Sequence, residues 1–290
     1  MKVAVIGVGR MGRWFTRYFI QHGHEVSISD VNEEAAKRFA DTLRISFSHS
    51  NSEAASSSDL VMICTPIKAI PIVVGEILDH VSSSTYIAEI SSVKSPVMPS
   101  LKKAASSGRL ILSLHPLFGP GAEVSAREKM LLTPVSDADS EADFAEKLFP
   151  RMEIIPVDFE RHDYVMSLTL SLTYYANIAL ASVLARENIE ELRRLSGTTF
   201  TIQLMLSESI MTEDPSLCTS IQMSNPYAVQ HMERFLSEAS KLLNYIRGED
   251  EEKFRDFFVK IHSTLAKSED ITRSYEDMYK ALKVIREGRC

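Results

Sequence analysis

Three glycines, Gly7, Gly9 and Gly12, follow a run of pure core residues at 3–6 and open an amphipathic stretch. This spacing leaves few folds open, because each glycine answers a separate steric demand of a strand that turns directly into a helix. Gly7 permits the tight turn, Gly9 has no Cβ and lets the backbone approach a pyrophosphate, and Gly12 lets the helix pack on the strand. The helix predicted from Arg10 to about His22, with Met11 in its first turn, offers unpaired N–H groups and a positive dipole end to phosphates. A second strand at 26–28 leads to Asp30, whose carboxylate is placed to accept both ribose hydroxyls and to repel a 2′-phosphate. The pattern predicts a dinucleotide site with NAD preferred over NADP, contacted by Gly7, Gly9, Arg10, Met11, Gly12 and Asp30. The bland alternative is a glycine-rich turn that binds nothing.

At 290 residues the chain suffices for two domains of ordinary size. A net charge of −7 argues against nucleic acid as a partner, so any anionic substrate has to meet a local positive patch. Cys64, Cys218 and Cys290 show no paired spacing, which predicts a reducing, cytoplasmic setting; Cys64 lies in an apolar run and reads as core. No stretch reads as the roughly 18 to 20 apolar residues of a membrane span, and no membrane partner is expected. The first strand begins at Lys2, which predicts no targeting peptide. His22, His24, His49, His80, His231 and His262 are scattered without ligand spacing, so no metal site is expected.

Up to residue 158, short β-branched runs alternate with helical stretches, the mark of a doubly wound parallel α/β sheet. Residues 3–6, 26–28, 60–64, 85–89 and 110–114 read as strands, and 130–134 and 152–157 as possible extensions of the sheet. Thr65, Pro66, Ser91, Ser92 and His115 then fall at the carboxyl ends of strands, the rim that holds a cofactor in open sheets; Pro66 is also suited to open the next helix. From 159 to 290 the pattern is helical throughout. A helix from about Arg161 to Glu187 would be roughly 40 Å long, more than a small domain covers without another subunit. Further helices are predicted at 192–212, 215–225, 227–247 and 250–287.

His115-Pro116-Leu117-Phe118-Gly119-Pro120-Gly121 predicts a rigid loop with a histidine at its start, where a group can be held to a fraction of an ångström. Taken alone, a histidine at a strand end is more often a hydrogen-bonded structural residue than a catalyst; its place on the cofactor rim shifts the balance towards chemistry. Glu89-Ile90-Ser91-Ser92-Val93-Lys94 lies just beyond another strand. Ser92 is placed to hydrogen-bond His115 or a substrate hydroxyl, and Lys94 to supply positive charge; an N-cap serine and a surface lysine fit equally well.

The glycine fingerprint with Asp30, the Ser92-Val93-Lys94 motif and above all His115-Pro116-Leu117-Phe118-Gly119-Pro120 resemble the prephenate dehydrogenase family, which includes arogenate dehydrogenases. The resemblance covers essentially the whole chain. It implies a Rossmann-type domain (1–158), an all-α substrate and dimerisation domain (159–290) and a homodimer without a fused mutase or regulatory domain. The implied reaction is NAD-dependent oxidative decarboxylation of prephenate to 4-hydroxyphenylpyruvate in tyrosine biosynthesis. His115 would accept the ring-hydroxyl hydrogen bond and Ser92 would orient it. By the same likeness, the family's histidine and arginine in the helical domain fall near Tyr174 and Thr201, so neither charge is kept. Lys94, Tyr174 and Thr201 are the expected substrate contacts, with Tyr175, Arg127, Arg186, Arg193 and Arg194 as other donors. Glu160-Arg161-His162-Asp163, also found in the family, reads as structural, with Asp163 in the first helical turn and His162 packing between domains. Three alternatives remain: an arogenate or cyclohexadienyl dehydrogenase, another two-domain dehydrogenase such as the 3-hydroxyacid type, and an NAD-binding protein without turnover. The 3-hydroxyacid type relies on a lysine in the helical domain, and residues 161–187 contain none.

Overall fold

Strands whose residues are apolar on both faces fit the middle of a parallel sheet covered by helices on either side. β1 (Lys2–Ile6) and β4 (Leu60–Ile63) have this character, and they lie side by side at the centre. Alternation divides their side chains between two cores. Val3 and Val5 pack with Phe15, Phe19 and Ile28 on one face, and Ala4 and Ile6 with Val61, Ile63 and Ile70 on the other. The computed structural model describes residues 1–267 and 271–287. Cys290 lies outside the described residues.

The sheet has eight strands in the order β3-β2-β1-β4-β5-β6-β7-β8. The others are β2 (Glu25–Ser29), β3 (Ser46–Phe47), β5 (Tyr86–Glu89), β6 (Leu110–Pro116), β7 (Lys129–Leu132) and β8 (Glu153–Pro156). All neighbours run parallel except β6 and β7. The doubly wound sheet is therefore as expected, with one antiparallel pairing added. Strand order reverses between β1 and β4, and ligands of open sheets bind at such a switch point.

Helices α1 (Arg10–Gln21), α2 (Glu33–Leu43), α3 (Asn51–Ser56), α4 (Ile70–Ile77), α5 (Met98–Ser106) and α6 (Ala138–Leu148) connect the strands. Pro66 caps a 3₁₀ turn, Ile67–Ala69, that runs into α4. Trp14 on α1 donates its indole N–H to the Ala122 carbonyl at 2.8 Å, and its ring lies 4.8 Å from that of Phe118. This ties α1 to the 117–128 segment.

The helical region contains α7 (Phe159–Met166), a π-helical segment Ser167–Leu172, α8 (Thr173–Leu184), α9 (Ile189–Leu195), α10 (Thr198–Met211), α11 (Pro215–Ser224), α12 (Ala228–Arg247), α13 (Glu251–Leu265) and α14 (Ile271–Glu287). The helix expected at 192–212 is interrupted because Ser196 and Gly197 are extended and Gly197 caps α10. The stretch expected at 250–287 holds two described helices, with residues 268–270 between them outside the description. Two compact units form, Met1–Thr169 with Pro215–Tyr227, and Leu170–Asp214 with the described residues from Ala228 onward. The division thus differs from the one read at residue 158: α7 and α11 pack with the sheet.

One sequence expectation is corrected. Helix Phe159–Leu184, with a mean hydropathy of 1.3 in its most apolar window, is long and apolar enough to cross a membrane by length and composition. Only 17% of that window is buried. A single helix of this kind is weak evidence for a membrane, because helices of proteins outside membranes pass the same test of length and composition.

Candidate active site

The glycine loop has the geometry its spacing demands. Gly7 adopts φ +89°, and a Cβ there would lie 2.9 Å from the Cys64 carbonyl; at Gly12 a Cβ would lie 1.8 Å from the Gly7 oxygen. Gly9 is different. A Cβ there meets nothing within 4 Å, so the space above it is open. Arg10 is exposed and Met11 half-buried at the start of α1, whose N-cap has no side-chain hydrogen bond. Asp30 braces the loop, accepting the Val8 N–H at 2.7 Å on one oxygen and the Asn32 N–H at 2.8 Å on the other. A carboxylate has about four acceptor positions, so two remain for a ligand. Thr65, two residues past the end of β4, has a buried Oγ1 without a hydrogen-bond partner, and its methyl lies 3.0 Å from where a Gly7 Cβ would stand. Burying a hydroxyl unpaired is costly, which suits a site completed by a bound group. Pro66 is exposed beside it. Cys64 is held in apolar surroundings that push its thiol far up from the ordinary range.

His115 does not begin a loop. It lies within β6, paired with Leu131 of β7, and Pro116 is paired with Met130. The antiparallel extension of the sheet, rather than the prolines, fixes its backbone. His115 Nδ1 is 2.9 Å from His162 Nε2, and His162 Nδ1 is 2.8 Å from Asp163 Oδ1. Burial is the main cause that holds His115 well below the usual 6.5, with smaller contributions from the neighbouring His162 and the Lys94 ammonium. Burial likewise lowers His162, against the opposing pull of Asp163. Burial would raise Asp163, but hydrogen bonds from His162, Lys94 and Ser95 outweigh it and keep the carboxyl low.

Lys94 is neither a surface lysine nor open to a substrate. It is fully buried, donating at 2.7 Å to Glu89 Oε1 and 2.6 Å to the Leu114 carbonyl, with Ser91 Oγ at 3.5 Å. An ammonium has three donors, and these contacts occupy them. Glu89, also fully buried, accepts from the Ser113 hydroxyl and, at 2.6 Å, from the N–H of the buried Ser91. Lys94 thus ties the end of β5 to β6 next to His115. Ser92 is half-buried, and among the described residues no hydrogen bond joins it to His115. Tyr174 on α8 and Thr201 on α10 belong to the other compact unit; Thr201 donates its hydroxyl to the Gly197 carbonyl at 3.0 Å.

The expectation for Glu160-Arg161-His162-Asp163 is likewise corrected. Glu160, not Asp163, lies in the first turn of α7, and His162 and Asp163 are completely buried beside His115 within one unit. The signal in the sequence was a polar pair opening an apolar helix, but only tertiary packing shows its partner. Among the described residues no group of three His, Cys, Asp or Glu side chains is placed to hold a metal ion.

Residues 15–149 match the family description "prephenate dehydrogenase, nucleotide-binding domain", and residues 158–260 match "prephenate dehydrogenase, dimerization domain". The chain belongs to the prephenate dehydrogenase family. The first matched region is a nucleotide-binding domain, in keeping with the Rossmann-type sheet. A probable arogenate/prephenate dehydrogenase of Methanocaldococcus jannaschii is 26% identical over 92% of this chain, which spans 60% of that relative's length. A cyclohexadienyl dehydrogenase of Zymomonas mobilis is 24% identical over 88% of this chain and 92% of its own. The crystal structure of prephenate dehydrogenase from A. aeolicus, in complex with hydroxyphenyl propionate and NAD+, shares the fold with a TM-score of 0.76 at 21% identity. It covers 93% of this chain and 98% of its own.

Proposed function

We propose that this protein is an NAD-dependent prephenate dehydrogenase that converts prephenate to 4-hydroxyphenylpyruvate and CO2 in tyrosine biosynthesis. The observation that carries the reading is the buried, uncharged imidazole of His115, fixed by strand pairing at the carboxyl end of a dinucleotide-type sheet. Family relatives named for prephenate, arogenate and cyclohexadienyl substrates support the substrate class.

The residues present fit NAD. Gly9 leaves room for a pyrophosphate, with Gly7, Arg10, Met11 and Gly12 around the loop; Asp30 keeps acceptor capacity for the ribose, and Thr65 and Pro66 stand at the rim with an unpartnered hydroxyl. When bound, the nicotinamide supplies the hydride acceptor. As hydride leaves the ring carbon bearing the hydroxyl, positive charge grows there and the hydroxyl becomes more acidic. A neutral His115 accepts its hydrogen bond and stabilises that charge. Ser92 orients the same hydroxyl. The ring carboxylate departs as CO2, its bonding pair completes the aromatic ring, and the proton that His115 accepts in the transition state returns to the phenol oxygen.

The test follows NADH absorbance with prephenate and with arogenate. Reduction with prephenate and little with arogenate is expected. The reverse order moves the assignment to an arogenate dehydrogenase, and reduction with neither overturns it. Asp30→Ala provides a second check. Losing hydrogen bonds to an ionised acceptor is worth about 1.5–3 kcal/mol, so the preference for NAD over NADP, read as a ratio of kcat/KM, is expected to fall about tenfold or more. An unchanged ratio would remove Asp30 from the cofactor site.

We also propose a cytoplasmic homodimer formed through the helical region. In α8 only Asn177 is buried, α13 buries no residue, and Ile246, Phe258 and Val259 are more than half exposed. Apolar helix faces of this extent need a cover. The matched dimerization domain supports a second copy in that role. Sedimentation at micromolar concentration is expected to give a dimer, and a stable monomer would contradict it.

A further inference from the structure

We infer that Asp163 and His162 are positioning residues that decide which nitrogen of His115 carries the hydrogen, leaving Nε2 bare as the acceptor. The inference rests on the reading of His115 as an acceptor given above. It starts from the carboxylate. Asp163 Oδ1 receives the Lys94 N–H and His162 Nδ1, at 2.7 and 2.8 Å, while Oδ2 receives the Ser95 N–H at 2.7 Å and the Ser95 hydroxyl at 2.5 Å. Only an ionised carboxyl accepts on both oxygens in this way. His162 Nδ1 therefore bears a hydrogen and donates it.

Burial keeps His162 uncharged, so its Nε2 holds a lone pair. That lone pair faces His115 Nδ1 at 2.9 Å. Two lone pairs at that distance repel, so His115 Nδ1 carries the hydrogen and donates to His162. A neutral imidazole has one hydrogen. The other nitrogen of His115, Nε2, is then the acceptor that oxidation of an alcohol requires. The alternative is a doubly protonated His162 donating to a bare His115 Nδ1. It would place a cation at a fully buried position near the buried Lys94 ammonium.

The carboxylate's own placement is set from a distant part of the chain. Asn225, just after α11, donates its side-chain amide to the Asp163 carbonyl at 2.8 Å. With Lys94 and Ser95 bonded to the carboxylate, the turn of α7 that carries the pair is clamped from two sides.

Nitrogen NMR of isotope-labelled histidines in the unmodified protein reads the tautomers directly. Hydrogen on Nδ1 and none on Nε2, for both His115 and His162, is expected. Hydrogen on His115 Nε2, or a doubly protonated His162, overturns the inference. A pair of variants reads the catalytic consequence. His162→Leu removes the acceptor and lets His115 adopt the other tautomer, so kcat is expected to fall about 100-fold, the low end of what a positioned base contributes, with KM little changed. His162→Gln retains an acceptor oxygen and is expected to recover about a tenth of the unmodified kcat or more, within the same range. Equal losses in the two variants, or none in His162→Leu, overturn the positioning role. If His162→Leu does not fold, the spectrum of the unmodified protein still decides. The spectrum needs no substrate, so failure to oxidise prephenate or arogenate would sink the proposed function and leave the tautomer result standing.

Discussion

His115→Asn is expected to lower kcat with prephenate by about 10²–10⁴-fold, the span that a positioned proton acceptor contributes, while NAD binding is retained. Asparagine keeps roughly the size and polarity of imidazole but presents a far weaker base. A loss confined to kcat is the signature of an interaction made mainly in the transition state. Equal rates for the two proteins would remove His115 from the chemistry. The same imidazole sets the pH behaviour. Burial holds it well below 6.5, so the acid limb of kcat lies well on the acid side of that value and is absent from His115→Asn. Stability moves in the same direction. Below about 6.5 the unfolded chain takes up a proton that the folded imidazole refuses, so stability falls as pH falls.

Gly9 and Gly12 separate folding from cofactor binding. Gly12→Ala drives a methyl to 1.8 Å from the Gly7 carbonyl oxygen, a backbone atom that cannot swing aside. Helix α1 must lift from β1, and we expect a loss of about 3 kcal/mol or more, the upper range for overpacking, visible as a large drop in Tm. Gly9→Ala meets nothing within 4 Å, and its backbone, φ −62° and ψ −167°, suits any residue. Its Tm is expected to stay within about 0.5 kcal/mol of equivalent stability, while NAD affinity falls because the methyl occupies the approach to the pyrophosphate. Calorimetry and NAD titration on the two variants check this contrast. A Gly9→Ala protein that binds NAD normally would rule out the loop as the phosphate cradle.

What was legible in the sequence was local. The glycine loop and strands β1, β2, β4, β5 and β6 announce themselves because a turn or a buried strand imposes its demands within a few residues. β3 escaped because two residues, Ser46 and Phe47, carry no period. The antiparallel sense of β7 escaped because an apolar run reads the same in either direction, and with it went the knowledge that His115 is a strand residue. Helix breaks at Ser196 and Gly197 were invisible to a count of apolar spacing. Lys94 was misread for an electrostatic reason: lysine belongs on surfaces unless a partner is buried with it, and Glu89 declares itself only once the strands are side by side. The link from Asp163 through His162 to His115 joins residues 47 positions apart, so no window along the chain contains it.

Trp14 is the chain's one tryptophan, and it lies on the helix that opens from the glycine loop, bonded to Ala122 and packed against Phe118. The molecule therefore comes with its own optical reporter. Intrinsic fluorescence excited at the indole arises from a single ring lodged between the cofactor loop and the segment that follows His115. Any ligand that shifts either one will alter the colour or brightness of that emission, without a dye or an engineered label.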